Sequence, residues 1–254
     1  MDILTTEDGG VQTIQFNRPQ KKNAITAHMY AALADALVRA RETSSVRAVL
    51  ILGGVDVFTA GNDLQDFMNS PPGDGDSPVF RFLKEISHAP KPLVAAVRGA
   101  AIGVGTTLLL HCDLVYAADN ARFSLPFTQL GLVPEAASSL LLPQLMGYQR
   151  AAERLLLGEP FAAADALQMG LVSAVRPVDE VVAHARAQAE RLVALPAAAL
   201  RATKRLMKHD RIEAIEARMQ LEGEEFRKRL TSPEAREAFS AFFERRTPDF
   251  SQFD

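Results

Sequence analysis

Cysteine is almost absent from the 254-residue chain: Cys112 stands alone, which excludes an intramolecular disulfide and any cysteine-rich metal site. A reduced, cytosol-like compartment fits this, and a cytoplasmic location is the expectation. There is no tryptophan, and 14 Phe with 3 Tyr make only 7% aromatics, little surface on which single-stranded nucleic acid could stack. Charge of one sign is lacking too. With 28 Lys and Arg against 31 Asp and Glu, the formal net charge is −3, so electrostatic capture of nucleic acid is not expected as the main task. Apolar runs are broken by Gly, Arg or Pro well short of the roughly 18–20 residues of a membrane span, and residues 1–20 lack the layout of an export signal. What is present is an ordinary globular composition, 48% hydrophobic and 23% charged, with room for one large domain or a domain plus an appendage.

The first forty residues read as strand, turn, strand, helix. Asp8-Gly9-Gly10 has turn chemistry, Val11 to Phe16 alternates as strand faces do, and Ile25, Met29, Leu33 and Leu37 repeat at helical spacing with Thr26 available as a cap. Val46 to Leu52 is a short apolar β-branched run closed by Gly53-Gly54, hence a buried strand. Residues 69–77 read as a mobile surface loop, followed by a helix over 78–88 that Pro90 and Pro92 stop. Leu93 to Val97 predicts the next buried strand, and Gly99 to Gly105 a turn into an apolar helix ending near Asp113. Strands over Leu114–Ala117 and Arg122–Leu125, a loop to Glu135 and a helix from about Ala136 complete a strand–turn–helix unit returning about every fifty residues.

Beyond Pro196 the character changes. Residues 201–254 hold 12 Lys or Arg and 11 Asp or Glu, with a helical stripe of Ile212, Ile215, Met219, Phe226 and Leu230 and a stop and restart at Thr231-Ser232-Pro233. The expected division is a core over 1–195 and a helical module over 196–254, docking through one apolar face onto the body or onto another subunit.

Three glycine-containing turns follow buried strands: Phe58–Leu64 (FTAGNDL), Arg98–Gly105 (RGAAIGVG) and Phe127–Glu135 (FTQLGLVPE). Each alone is consistent with a mere tight turn. Together, two converging turns can present backbone N–H groups as an oxyanion hole. The spacing of Gly99, Gly103 and Gly105 does not match a dinucleotide fingerprint, and no G-x-S-x-G elbow is present. His111 and Cys112 read as core or helix-end residues. Glu135 is the only charged residue between Arg122 and Arg150. It reads either as a carboxylate satisfying a helix N-terminus or as a general base whose pKa is raised by an apolar setting.

These turns, in this order, resemble the crotonase (enoyl-CoA hydratase/isomerase) superfamily, from about residue 10 to the C-terminus. The resemblance rests on RPQKKNAIT (Arg18–Thr26), AGNDL (Ala60–Leu64), KPLVAAVRGAAIGVG (Lys91–Gly105), HCDLVYAADNARFS (His111–Ser124) and GEPFAAADALQMGLVSAV (Gly158–Val175). It implies an α/β fold, a spiral of repeated ββα units with a C-terminal helical module, usually assembled as a homotrimer or a dimer of trimers. It implies acyl-CoA thioester substrates with no further cofactor and no metal, and an enolate held by the backbone N–H groups of Asn62 and Val104. It also puts Lys22, Ala24, Ala60, Asp63 and Leu64 near adenine and pantetheine, Arg245 near the phosphates, and Phe127 beside the acyl group.

The departures from the family bear on the reaction. Hydratases of the family handle water with two glutamates, and the matching positions here are Thr107 and Phe127. Glu135 matches the sole acid–base of the Δ3,Δ2-enoyl-CoA isomerase branch, to which PFTQLGLVPEAASS is similar. The expectation is isomerisation of a 3-enoyl-CoA to a 2-enoyl-CoA, Glu135 carrying the proton from C2 to C4 behind an apolar wall of Phe127, Leu132 and Val133. The rivals are a hydratase with atypical residues, another enolate reaction such as thioester hydrolysis or ring cleavage, and a noncatalytic acyl-CoA- or RNA-binding scaffold.

Overall fold

The computed structural model describes residues 1–69 and 77–253; apart from its two end residues, the loop expected at 69–77 lies outside the described residues. The chain opens with the expected hairpin of β1 (Ile3–Asp8) and β2 (Val11–Phe16), then α1 (Ala27–Glu42), whose first turn is capped by Thr26 accepting from the Met29 N–H at 3.3 Å. Three similar passages follow. The first comprises β3 (Ala48–Leu52), β4 (Val57–Thr59), α2 (Leu64–Asn69) and α3 (Pro78–His88). The second is β5 (Leu93–Val97), β6 (Ala100–Ile102) and the one-turn helix α4 (Val104–Thr107). The third is β7 (Leu114–Ala118), β8 (Arg122–Ser124), α5 (Ser138–Met146) and α6 (Tyr148–Ala152). The passages begin at 48, 93 and 114, so the repeat is uneven rather than a steady fifty. The chain then runs through β9 (Phe161–Ala162), α7 (Ala163–Gln168), β10 (Ala174–Arg176) and α8 (Val181–Ala194). It ends in α9 (Ala197–Lys208), α10 (Ile212–Leu230) and α11 (Pro233–Glu244).

Each passage gives one strand to each of two sheets. The larger runs β1-β2-β3-β5-β7-β10 and is parallel beyond the first hairpin; the smaller runs β4-β6-β8-β9, parallel except at β8–β9. Strands buried on both faces explain the continuous apolar runs. Val49 and Ile51 of β3, with Leu93, Ala95 and Val97 of β5, face the main core shared with α1 and α3. The alternating Ala48, Leu50, Val94 and Ala96 face a second cluster closed by Val181, Ala185 and Ala189 of α8.

Two expectations need correction. The stretch Gly99 to Gly105, foreseen as a turn, contains β6, and the apolar helix foreseen to follow it toward Asp113 is only the single turn α4 and a 3₁₀ turn over Leu108–His111. The helix foreseen from Ala136 begins at Ser138, because Ala136 and Ala137 both take the left-handed conformation (φ 60° and 57°).

The C-terminal helices pack on the body of the same chain. Phe226 of α10 meets Phe67 of α2 edge to face at 6.1 Å, and Ile215 is buried beside Ala137 and Leu141. Lys204 of α9 is buried and donates to Asp113 Oδ2 at 2.6 Å and to the Lys91 carbonyl at 2.8 Å, while the same Asp113 oxygen accepts the Leu93 N–H. Removing one member of a buried pair strands the other. Lys204→Ala is therefore expected to lower stability by about 3 kcal/mol in urea unfolding, and an unchanged midpoint would contradict that role. Among the described residues no helix is long and apolar enough to cross a membrane.

Candidate functional site

Two turns are pressed together where the smaller sheet ends. After β4, the Ala60 N–H donates to the Lys22 carbonyl (3.0 Å), the Ile25 N–H to Gly61 (2.8 Å) and the Asp63 N–H to Ile25 (2.9 Å). These bonds leave the Asn62 N–H out of the pairing that anchors its turn. After β6, the Thr106 and Thr107 N–H groups both donate to the Gly103 carbonyl, whereas Val104, as the first residue of α4, has no acceptor within the helix. The two turns touch: a Cβ on Gly61 would lie 2.7 Å from the Ile102 carbonyl oxygen, and one on Gly105 3.2 Å from that of Thr59.

The third turn delivers Glu135. Its segment passes through a 3₁₀ turn at Thr128–Leu130 and ends in the left-handed pair Ala136-Ala137, a conformation costing a non-glycine residue roughly 1–2 kcal/mol. Contacts from distant segments hold it. The Ala136 carbonyl meets Nε2 of the buried His111 at 2.9 Å, and burial drives the His111 pKa down to about 4, so the ring is neutral and donates through that nitrogen. The Ala137 N–H donates to Glu222 Oε2 at 2.7 Å, and the Ser139 N–H to Glu222 Oε1 at 2.9 Å.

Glu135 itself is 7% exposed. The Asn62 side-chain amide donates to it, and the Asn62 amide oxygen accepts from the Tyr30 hydroxyl. Its Oε1 is buried without a hydrogen-bond partner among the described residues. Burial above all, and then the charge of Glu222, push its pKa up to about 8 against the opposing Asn62 hydrogen bond. Burial and the Glu135 charge also raise the Tyr30 phenol well above its ordinary range, so Tyr30 stays a donor. The carboxyl borders a cavity of about 20 Å³ walled by Phe67, Val79, Phe80, Leu83, Met219 and Phe226, room for about one water. Phe80, Leu83 and Met219 also line a wider groove between α3 and α10, about 320 Å³, with Lys84, Glu224 and Arg227 at its margin.

The other residues singled out by sequence fall in three places. Lys22 is exposed with φ 51°, and Ala24 and Ala60 lie half-buried beside it. Asp63 pairs with Arg18 at 2.6 Å and accepts the Gln65 and Asp66 N–H groups at the start of α2. Although burial alone would raise its pKa, these bonds and the Arg18 charge hold it below the ordinary value. Leu64 packs half-buried on the core. Phe127 is buried in the main core and is not among the residues walling the Glu135 cavity, while Arg245 is exposed at the end of α11 with φ 56°. The apolar wall thus comes from α2, α3 and α10. Tyr30, the Asn62 side chain and Glu222 were not foreseen. One signal was available: Glu222 stands at the helical spacing of Ile215, Met219 and Phe226, an acid within an apolar stripe.

Residues 6–253, nearly the whole chain, match the family described as enoyl-CoA hydratase/isomerase. The chain belongs to this family. Among enoyl-CoA hydratase/isomerase relatives, "Enoyl-CoA delta isomerase 2" of Rattus norvegicus is 37% identical over 96% of this chain and 64% of its own length. The chain thus spans just under two thirds of that relative. "2,3-Dehydroadipyl-CoA hydratase" of Escherichia coli (strain K12) is 32% identical, with 98% of both chains covered. A solved enoyl-CoA hydratase/isomerase from Pseudoalteromonas atlantica T6c superposes with a TM-score of 0.95 at 45% identity, covering 98% of this chain and all of that one. The family therefore establishes the crotonase fold and an enzyme scaffold, and its members include both isomerases and hydratases.

Proposed function

We propose that the chain is a Δ3,Δ2-enoyl-CoA isomerase. The observation that carries this reading is the buried, unpartnered Oε1 of Glu135 in an apolar cavity. A hydratase needs a second acid or base for water, but Thr107 and Phe127 carry none. Among the described residues the other carboxylate lining this cavity, Glu222, is occupied by the Ala137 and Ser139 donors.

In this reading the thioester carbonyl lies on the N–H groups of Asn62 and Val104. As Glu135 takes the C2 proton, negative charge develops on that oxygen, and each preorganised donor contributes on the order of 3 kcal/mol to the transition state. Glu135, now protonated, returns the proton at C4, so one carboxyl serves both carbons and no water is consumed. The CoA moiety follows Lys22, Ala24, Ala60, Asp63 and Leu64, with Arg245 toward the phosphates, and the thioester is substrate with no additional cofactor. Exposed apolar side chains on the C-terminal helices, Leu206, Met207, Leu221, Phe242 and Phe243, support assembly as a homotrimer or dimer of trimers.

The test compares isomerisation of a 3-enoyl-CoA with hydration of crotonyl-CoA on one preparation. Isomerisation is expected to exceed hydration by at least about 100-fold in kcat/KM, the scale that positioned proton transfer contributes; dominant hydration would sink the proposal.

A further inference from the structure

Resting on the reading of Glu135 as the base, we infer that Glu222 is its positioning residue: planted on α10, its carboxylate grips the left-handed Ala136-Ala137 turn and so fixes where Glu135 points. Eighty-five residues separate Glu222 from Ala137, and the grip is complete. Oε2 takes the Ala137 N–H, Oε1 takes the Ser139 N–H and hydroxyl, and Arg218 Nη1 backs the Ser139 hydroxyl at 3.1 Å. On the other side of the turn His111 holds the Ala136 carbonyl. Two alanines would otherwise continue the helix toward its N-terminus, swinging Glu135 away from Asn62.

The same carboxylate acts on Glu135 through space. Among the described residues the groups facing Glu135 are the Asn62 amide, the Tyr30 hydroxyl of α1 and Glu222 of α10, and it forms no ion pair there. Among the described residues, Glu222 is thus the like charge that opposes its ionisation. Because Glu222 and its neighbour Gly223 also line the cavity, which shares Phe80, Leu83 and Met219 with the α3–α10 groove, an acyl chain lodged there would bear on the helix that carries the grip.

The test is a titration of the Glu135 carboxyl by carbon NMR in ligand-free protein, wild type against Glu222→Gln, with kcat/KM against pH on the same samples. Glu222→Gln removes the opposing charge and leaves at least one of the turn's donors facing an NH₂ group. The Glu135 midpoint is expected to fall by about one pH unit, the acid limb of kcat/KM to move with it, and the plateau kcat to drop roughly 10–100-fold as the base loses its aim. Ser139→Ala, a milder change that removes a single donor from Glu222, is expected to move the midpoint the same way by less, and serves if Glu222→Gln does not fold. A lowered thermal midpoint with an unmoved Glu135 titration would reduce Glu222 to scaffold and overturn the inference, as would two unchanged profiles. The NMR arm needs no substrate, so it decides this point even if isomerase activity is absent.

Discussion

Glu135→Gln is expected to lower isomerase kcat/KM by about 10³–10⁴-fold, near the full worth of positioned acid–base transfer, while the chain remains folded. The amide has the same shape and can still meet Asn62, but it cannot accept the C2 proton. In the wild type, activity should climb about tenfold per pH unit toward the Glu135 pKa of about 8 and level off above it. The same variant has a second signature. The folded-state pKa lies above the unfolded one, about 4.3, so between these values the folded chain binds more protons than the unfolded. Stability from this group is then fully present below the unfolded pKa and is lost as pH rises through about 8. Glutamine carries no such dependence. Glu135→Gln should therefore gain on the wild type by on the order of 4 kcal/mol from pH 5 to pH 9, read by urea unfolding at both values. Parallel unfolding curves at both would mean that the carboxyl is not buried as described, and full retained turnover would remove it from the mechanism.

Elements long enough to show their period are legible in the sequence. The first hairpin, α1 with its Thr26 cap, β3, α3 and β5 lie where alternation, helical spacing and proline stops place them. Of the smaller sheet only β8 was legible, at Arg122–Leu125; β4 and β6 were not, because three residues such as Val57–Thr59 or Ala100–Ile102 are too few to display alternation, and their pairing is purely tertiary. Ala136 and Ala137 illustrate the opposite failure. Alanine favours helix locally, and only contacts from His111 and Glu222 override that preference. Glu135 stood out as an isolated charge, but its setting did not: the residues that bury it come from α2, α3 and α10, and those that aim it from α10 and the turn at Asn62, which no local reading joins.

The turn at Asn62 gives the second large effect. Gly61→Ala is expected to cut kcat by about 10²–10³-fold, the measured worth of a lost oxyanion donor, and to lower stability by about 2 kcal/mol. Gly61 has φ 84°, and an added Cβ would stand 2.7 Å from the Ile102 carbonyl oxygen, which is backbone and cannot step aside as a side chain would. The turn must move as a unit, carrying with it the Asn62 N–H and the amide that reaches Glu135. Gly103 offers the contrast: its φ is 55°, yet a Cβ there would meet nothing within 4 Å. Gly103→Ala keeps the two turns in contact and adds only conformational strain and a methyl group in open space beside Val104. If the N–H pair acts on the developing enolate, Gly61→Ala loses kcat with KM little changed, because the interaction is made in the transition state and not with the bound ground state. Gly103→Ala, whose methyl group meets no backbone atom, should cost kcat the less of the two. A Gly61→Ala enzyme with wild-type kcat and weakened KM would place the thioester carbonyl somewhere other than between these two turns.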